Sequence, residues 1–590
     1  MNHRCKRLAA LSLLLVLGIC TFASAASAAT VTISPLAGSS AAMPGTQISF
    51  LGASAKSLGA ITVVGSVSGK HSGHLRSYSS ATGASFIPNK PFAAGERVTV
   101  HARLSVSKRT RSVSTNFTVA QVGTVPATEF PSAPGTPADI QNFQSRPDLH
   151  PPTVTVRQAA TTGAAPGYVL AAPALGPGQP GPMMFDNAGN LVWFRSLPAG
   201  QDATDFRTQT YRGKTALTWW QGRTLQFGFG LGEDVIANAN YKTVAVVRAG
   251  NGLQADEHEF TITPEGSAYV LAYSPLQTSL ASAGGPASGL ALDGVIQRID
   301  IHTGLVMWEW HSIGHVDVSE SYSKLPGLAT NAYDYFHINS VEALKEGNFL
   351  ISARNTWGLY ELSGRTGAVI WRLGGKKSTF ALGAGVPFSF QHDAQVLPNG
   401  EISLYDDEGA PTVKPPSRGE IVKLDTKAKT ATLAGQLVRT SGPLITGSQG
   451  NLQSLPGGGW MVGWGGLPNL TEFNAAGQIV FDAQLPRGEN SYRIYREPWS
   501  GQPSEPPAIA ARTTGSATAV YASWNGATTV ASWQLLTGSS ASQLNPVSTT
   551  PKSGFETAIP APTAPFVEVR ALSASGKVLG TSKAVQPTSG

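Results

Sequence analysis

The sequence predicts an all-β protein in which a six-bladed β-propeller lies between an N-terminal and a C-terminal β-sandwich. Glycine and proline, at 65 and 40 of the 590 residues, separate short apolar stretches in the way that turns separate strands. Charged residues make up only 13% of the chain and hydrophobic residues 41%, which provides enough apolar material for large cores. A hairpin-like pattern recurs through the middle of the chain, and such internal repetition is typical of a propeller.

The first 29 residues have the pattern of a secretory signal peptide. A basic segment precedes an apolar stretch from Leu8 to Phe22, and alanines and serines follow at the expected cleavage point. The apolar stretch is too short for a comfortable membrane span. We therefore expect a secreted or extracytoplasmic protein with no stable membrane span after leader removal. Cys5 and Cys20 both lie in this leader, so the mature protein would carry no disulfide and no cysteine-bound metal.

Two flanking segments have strand-like alternation without any sign of chemistry. Residues 30–122 contain short alternating stretches such as RVTVHARLSV, which predict an Ig-like β-sandwich. A proline-rich linker follows at 123–157, and we expect it to be a semi-rigid arm outside any core. Residues 501–590 resemble a fibronectin-like β-sandwich, with Trp524 and Trp533 as its expected core.

Residues 158–500 carry the repeat and are the predicted propeller and catalytic domain. Each copy consists of two hairpins, in which apolar strands flank turns rich in glycine, aspartate or asparagine. Two hairpins make one four-stranded blade. The spacing of the copies gives about six blades and is also compatible with five or seven.

Three histidines open equivalent hairpins of this repeat: His258 in DEHEF, His337 in FHINS and His392 in QHDAQ. A fourth copy has Gly450 at the matching position. The innermost strand of each blade lines the central channel of a propeller, so matched positions on different blades converge on one axis. We expect the three imidazoles to meet at one end of that channel.

The hairpin that begins at His337 adds two more polar groups. Antiparallel pairing about its turn brings Arg354 back beside His337, and the period of two along a strand predicts Asn339 on the same face. The same folding brings Asp406 or Asp407 near His392. Three imidazoles, a guanidinium and an amide in a weakly charged funnel suit a tetrahedral oxyanion such as sulfate or phosphate, without defining the reaction.

Alternative functions follow from the same residues. The net charge of +7 is spread thinly, with no basic run that could follow a phosphate backbone, so no nucleic-acid partner is expected. Three histidines can hold a catalytic zinc, but the nearby arginine would repel the cation, so we predict neither a metal nor another cofactor. The main alternative is a non-catalytic secreted propeller that binds an oxyanionic ligand or a cell-wall component.

The segments DEHEFTITPEGSAYVLAYS, FHINSVEALKEGNFLISARNTWGLYELSGRTGAVIWRLGG and QHDAQVLPNGEISLYDDEG together resemble the arylsulfotransferase family. The resemblance extends from about Phe143 to Pro498. It implies a secreted, nucleotide-independent sulfotransferase that moves a sulfuryl group from a phenolic sulfate ester to a phenolic acceptor.

The resemblance also implies residue roles. His392 matches the histidine that attacks sulfur and becomes transiently sulfated, which predicts a ping-pong mechanism. His258, His337, Asn339 and Arg354 match residues that bind the sulfuryl oxygens and assist proton transfer. Either His258 or His337 would be the general acid and base, and the sequence does not choose between them.

Overall fold

Residues 31–106, 109–327, 331–440 and 442–589 are described by a computed structural model of the protein. The described residues are all-β, with no α-helix among them. The predicted signal peptide at 1–29 lies outside these residues. Within the described residues, no helix is both long and apolar enough to cross a membrane.

Eight strands form two four-stranded sheets in the N-terminal part of the chain. Their bounds are β1 (Thr32–Ser34), β2 (Ile48–Leu51), β3 (Leu58–Gly65), β4 (Gly69–His71), β5 (Gly73–Ser77), β6 (Gly83–Pro88), β7 (Arg97–Val106) and β8 (Arg109–Thr118). One sheet has the order β1-β2-β6-β5 and the other β4-β3-β7-β8. Both contribute to one apolar cluster around Phe50, Val100 and Phe117.

The middle of the chain contributes twenty-six strands. They are β9 (Thr155–Gln158), β10 (Tyr168–Ala171), β11 (Met183–Phe185), β12 (Leu191–Phe194), β13 (Asp202–Tyr211), β14 (Lys214–Leu225), β15 (Phe229–Ala237), β16 (Thr243–Val247), β17 (Phe260–Ile262), β18 (Ser267–Thr278), β19 (Gly289–Asp300), β20 (Val306–His311), β21 (Ile338–Ala343), β22 (Phe349–Ala353), β23 (Gly358–Leu362), β24 (Val369–Gly374), β25 (Ala381–Leu382), β26 (His392–Val396), β27 (Ile402–Asp406), β28 (Arg418–Asp425), β29 (Thr430–Leu437), β30 (Asn451–Ser454), β31 (Trp460–Gly463), β32 (Asn469–Phe473), β33 (Ile479–Gln484) and β34 (Ile494–Glu497).

These strands form six sheets, which we number one to six in chain order of their first hairpins. Their strand orders are β34-β10-β11-β12, β13-β14-β15-β16, β17-β18-β19-β20, β21-β22-β23-β24, β26-β27-β28-β29-β25 and β30-β31-β32-β33-β9. The pairs are antiparallel, apart from β25 with β29. The first strand of each order contacts the preceding sheet, and β34 contacts both β13 of sheet two and β31 of sheet six.

The last strand of the repeat therefore completes its first sheet. β34 pairs with β10, with Leu170 opposite Tyr495, although more than 300 residues separate them along the chain. The apolar residues of sheets one and six share one cluster that includes Val169, Met461 and Ile494. The pairing of β34 with β10 therefore joins the end of the repeat to its beginning.

Eight strands complete the C-terminal part. They are β35 (Ala508–Thr514), β36 (Ala517–Ser523), β37 (Ser532–Ser540), β38 (Gln543–Pro551), β39 (Glu556–Ala561), β40 (Phe566–Leu572), β41 (Val578–Thr581) and β42 (Thr588–Ser589). The two sheets have the orders β39-β36-β35-β42 and β38-β37-β40-β41. Trp524 and Trp533 are buried in their common core, as predicted.

Seven short 3₁₀ turns occur among the described residues: Ala55–Ser57, Pro137–Asp139, Ala281–Ala283, Val318–Glu320, Lys345–Gly347, Arg354–Thr356 and Pro456–Gly458. The insertion after Ser274, which its composition predicts to be a mobile surface loop, is instead a long hairpin. β18 and β19 pair from Ser267 with Asp300 to Thr278 with Gly289. The apolar, buried residues of both strands explain the difference, because they extend the ladder into the predicted loop.

The proline-rich linker lies against the six sheets. The backbone N–H of Gln226 donates to Thr128 O at 2.8 Å, and that of Ala133 donates to Leu175 O at 2.6 Å. The linker was predicted to be a semi-rigid arm outside any core, and these bonds attach it to the ends of sheets one and two. It brings Phe130 to the cavity described next.

Candidate active site

The three predicted histidines occupy the same position on three consecutive sheets. His258 lies two residues before β17, His337 lies directly before β21, and His392 is the first residue of β26. Their exposed fractions are 3%, 8% and 1%. All three line one cavity of about 470 Å³. The structure thus brings together side chains that are 79 and 55 positions apart.

The rings surround a buried tyrosine. The centroids of His258 and His337 lie 5.1 Å apart, with the rings nearly perpendicular. Tyr492 stands edge-on to both His258, at 5.2 Å, and His392, at 6.2 Å. Tyr273 lies 5.8 Å from His258 and from His337. Aromatic walls therefore flank the imidazoles on two sides.

Each imidazole is held by a carboxylate at the same ring nitrogen. The contacts from Nδ1 to the carboxylate Oδ2 are His258 to Asp256 at 2.5 Å, His337 to Asp334 at 2.5 Å, and His392 to Asp407 at 2.7 Å. A carboxylate on Nδ1 fixes the ring orientation and leaves Nε2 for other partners. The hairpin pairing predicted Asp406 or Asp407 beside His392, and the structure shows that the neighbour is Asp407.

The tautomer of His392 follows from its second nitrogen. The backbone N–H of Gln449 donates to His392 Nε2 at 3.2 Å. Because Nε2 accepts this bond, the proton of the neutral ring resides on Nδ1 and is donated to Asp407. His392 therefore presents a lone pair on Nε2 at the cavity, which is the form that a nucleophile needs.

The surroundings of the three histidines shift their pKa values in different directions. Burial and the positive charge of Arg354 hold the pKa of His392 well below its usual value, so the ring is neutral. Burial also lowers the pKa of His337, although Asp334 opposes it. Burial alone would lower the pKa of His258 as well, but the Asp256 carboxylate outweighs it and raises that pKa. His258 is thus the histidine most suited to carry a proton.

Arg354 lies at the rim of the same cavity. As predicted, the hairpin pairs Ile338 with Ala353, and Arg354 N donates to His337 O at 2.9 Å. The guanidinium donates through Nη2 to Gly447 O at 2.6 Å and lies 4.7 Å from the ring centroid of Phe390. Its Nε has no hydrogen-bond partner among the described residues. The guanidinium is therefore held in place, and its Nε–H is available to donate to a bound group.

Asn339 does not line the cavity. Its side-chain Nδ2 donates to Gln391 O at 2.7 Å, and the residue is fully buried beneath the histidines. The period of two fails here because His337 has a φ of +54° and precedes a register shift between Ile338 and Ser340. The prediction that Asn339 shares the face of His337 is wrong for this reason.

A second guanidinium lies below the histidines and connects the sheets. Arg493, just before β34, is fully buried and donates through Nη2 to Glu259 at 3.1 Å and to Asn339 O at 3.0 Å. Its Nη1 donates to Asp205 at 3.2 Å and lies 3.6 Å from Asp393. The acceptors belong to sheets two to five, so one side chain of sheet one joins four other sheets.

Several residues of the cavity wall were missed by sequence reasoning. Tyr492 lies shortly before β34 and Gln449 directly before Gly450 of the fourth copy, while Phe130 and Leu175 come from segments without a recurring pattern. Glu257, by contrast, stands in the DEHEF motif as a neighbour of His258. Burial raises its pKa to about 7, and Thr224 Oγ1 donates to its Oε2 at 2.5 Å.

Among the described residues, no group of three or more His, Cys, Asp or Glu side chains is arranged to hold a metal ion. The arrangement of the cavity is instead that of a site for an anionic group: neutral and protonatable imidazoles, each oriented by a carboxylate, with one arginine at the rim. The protein is thus an all-β chain of repeated sheets of four or five strands, with a candidate anion-binding site at the matched ends of their first strands.

Comparison with known proteins agrees with that class. Residues 207–485 match the model of the family described as Arylsulfotransferase (ASST). The matched segment is slightly less than half of the chain and is similar to the arylsulfotransferase family. No curated protein sequence matches the chain.

Solved structures match at low similarity. A protein of unknown function from Bacteroides caccae has 12% identity and a TM-score of 0.35, and the alignment covers 56% of this chain and 98% of that one. A protein of unknown function from Dyadobacter fermentans has 10% identity and a TM-score of 0.28, with 64% and 96% covered. A quinonprotein alcohol dehydrogenase-like protein from Bacteroides thetaiotaomicron has 11% identity and a TM-score of 0.22, with 93% and 95% covered.

Proposed function

We propose that this protein is a secreted aryl-sulfate sulfotransferase that works by a ping-pong mechanism through a sulfated His392. The observation that carries the proposal is the shared cavity of three histidines, each held at Nδ1 by a carboxylate, with Arg354 at its rim. The predicted leader at 1–29 supplies export.

We further propose that sheets one to six are the blades of a six-bladed propeller. Arg493 supports this arrangement, because it contacts residues in or beside the first strands of four other sheets. The sheet pairs at 30–122 and 501–590 are then the Ig-like and fibronectin-like sandwiches that flank it.

In the first half-reaction, the lone pair on His392 Nε2 attacks the sulfur of the donor ester. The bond between sulfur and the phenolic oxygen breaks, and its electron pair stays on that oxygen. His258, which carries a proton because Asp256 raises its pKa, donates this proton to the departing phenolate. The products are a neutral phenol, a neutral His258 and an Nε2-sulfated His392 whose Nδ1–H remains on Asp407.

In the second half-reaction, the acceptor phenol gives its proton to the neutral His258. Its oxygen attacks sulfur, the bond between sulfur and Nε2 breaks, and the electron pair returns to His392. His258 is protonated again and the cycle is complete. This assigns the general acid and base to His258 rather than to His337, on the opposite directions of their pKa shifts.

Arg354 and His337 bind the sulfuryl oxygens in this proposal. The guanidinium lies beside the nucleophile and has an unpartnered Nε among the described residues, so it offers donors to charge that develops on the oxygens. An anionic sulfuryl group raises the pKa of a nearby imidazole. His337 would then gain a proton and donate from Nε2 while Nδ1–H stays on Asp334. Asn339 acts from below by hydrogen-bonding the backbone of Gln391, next to the nucleophile.

The test is to incubate the protein with 4-nitrophenyl sulfate alone and to analyse its peptides by mass spectrometry. We expect the mass of one sulfuryl group on the peptide that carries His392, and its removal when phenol is added. His392→Ala should lose both the adduct and acceptor-dependent release of nitrophenolate. His302→Ala is the matched control, because His302 lies outside the cavity.

Tight binding of the sulfate ester without any release of nitrophenolate would contradict the transfer reaction. It would indicate the non-catalytic oxyanion-binding propeller instead. An adduct on His258 or His337 in the wild-type protein would contradict the choice of nucleophile.

A further inference from the structure

A second cavity lies beside the histidine cavity and is lined by carboxyl groups. Its volume is about 250 Å³, and its polar walls include Glu129, Asp202 and Glu489. None of the described residues that line it is a lysine, arginine or histidine. Within the described part of the chain, the cation bound to these carboxyls is Arg223, which pairs with Glu129.

The two cavities share walls. Phe130 and Leu175 line both of them, and Glu489 lines the second while the next residue, Asn490, lines the first. Thr224, in the wall of the histidine cavity, donates to Glu257 at 2.5 Å. The acidic cavity therefore adjoins the space in which a molecule would lie if its reacting oxygen were at His392.

Glu489 is the group that most needs a partner. It is only 3% exposed, and its Oε2 has no hydrogen-bond partner among the described residues. Gly176 lies so close that an added Cβ would be 2.3 Å from the Glu489 carboxyl carbon, so the carboxyl is held in place against the backbone. A buried, fixed and unpartnered acceptor is costly unless something binds it.

The groups nearest to Glu489 in this cavity wall are carboxyls as well. Burial raises the pKa of Glu489 to about 9, and the charge of Asp202 adds to the shift. Burial raises the pKa of Asp202 to about 6, and Glu129 adds to that shift. The carboxyls thus disfavour one another's ionised form, which is an arrangement that a positive charge between Glu489 and Asp202 would relieve.

We propose that the acidic cavity binds the ammonium group of an amine-bearing phenolic substrate while its phenolic oxygen lies at His392. The inference rests on the proposed sulfotransferase function and adds the substrate class. An ammonium group can donate to Glu489 and Asp202 together, and Phe130 and Leu175 provide an apolar passage for the carbon chain between ring and amine. A substrate with a carboxylate at the same place is repelled.

The test compares three acceptors that differ only in the group carried by the para side chain: 4-(2-aminoethyl)phenol, 4-ethylphenol and 3-(4-hydroxyphenyl)propanoate. The donor is 4-nitrophenyl sulfate at a fixed concentration, and kcat/KM is measured for each acceptor from nitrophenolate release. We expect the ammonium compound to exceed the neutral one by about tenfold or more and the carboxylate to be the poorest, as expected for a charge contact in a partly buried site.

Two variants test the residues. Glu489→Gln and Asp202→Asn should each lower the ratio of kcat/KM between the ammonium and the neutral acceptor by about threefold or more. A ratio measured in one preparation does not depend on how much of the protein is folded, so reduced folding does not imitate the effect. Glu265→Gln, at an exposed turn, is the control and should leave the ratio as in the wild type.

The outcomes separate the two proposals. If the wild-type protein transfers to none of the three acceptors, the sulfotransferase function fails and the inference fails with it. If 4-ethylphenol is sulfated but the ammonium compound has no advantage, only the inference is overturned. The same holds if the advantage persists undiminished in both variants.

Discussion

Replacing Asp407 by asparagine tests the chemistry of the site at its most specific contact. In the wild type, His392 Nδ1 donates to Asp407 Oδ2 at 2.7 Å, and both side chains are almost fully buried. The asparagine side chain would be nearly isosteric with the carboxylate, but its amide can present an N–H to Nδ1. The proton of the neutral ring would then move to Nε2, and the lone pair that attacks sulfur would be lost.

Two effects set the magnitude. A hydrogen bond to a charged group contributes about 1.5–3 kcal/mol, and in the proposed mechanism it also stabilises the positive ring of the sulfated intermediate. The inverted tautomer adds to this loss, and in a comparable histidine–carboxylate pair the combined cost is about 10⁴-fold in rate. We therefore expect the sulfation rate of Asp407→Asn to fall by about 10³- to 10⁴-fold.

The assay is a single-turnover measurement of nitrophenolate release with donor alone, which reports only the first half-reaction. The chain provides its own matched controls, because Asp334 and Asp256 make the same contact with His337 and His258. Asp334→Asn should slow this step less than Asp407→Asn does. If Asp407→Asn stays within about tenfold of the wild type while Asp334→Asn is slower, His392 is not the nucleophile.

Two further predictions concern the proton donor and the fold. Asp256 raises the pKa of His258, so Asp256→Asn should move the alkaline limb of the pH–rate profile to lower pH. It should also slow phenyl sulfate more than 4-nitrophenyl sulfate, because the poorer leaving group needs the proton more; an unmoved limb would contradict the role of His258. Arg493→Met should lower the free energy of unfolding by about 3–5 kcal/mol, since it leaves the buried Asp205, Glu259 and Asp393 with Arg207 as their remaining arginine. Urea unfolding followed by tryptophan fluorescence checks this, and an unchanged midpoint would contradict the central role of that ion cluster.

The sequence predicted that the three histidines converge because they lie at matched positions of an internal repeat. Matched positions in a repeat have matched places in each sheet, so His258, His337 and His392 needed no contact information to be associated. The pairing that returns Arg354 to His337 is local as well, since one hairpin turn fixes its register. Both inferences use short-range geometry that hydrophobic patterning encodes.

Other parts of the site depend on geometry that no pattern encodes. Asn339 was misplaced because a φ of +54° at His337 breaks the alternation at the strand entrance, and an isolated left-handed residue leaves no trace in hydropathy. Tyr492 and Phe130 reach the cavity from opposite ends of the sheet assembly, through the closing strand β34 and the linker. Their proximity depends on the pairing of β34 with β10, which joins residues more than 300 positions apart.

The position that holds a histidine in three sheets holds Gly450 in sheet six, and the structure explains the exception. Gly450 has a φ of +100°, and a Cβ there would lie 2.5 Å from the ring of Tyr405, so a histidine does not fit. The glycine lets the preceding backbone approach the site, where Gln449 N donates to His392 Nε2 and Gly447 O accepts from Arg354. The sheets therefore differ at this repeated position. Three of them place a histidine in the cavity, and sheet six places the backbone groups of Gln449 and Gly447 there instead.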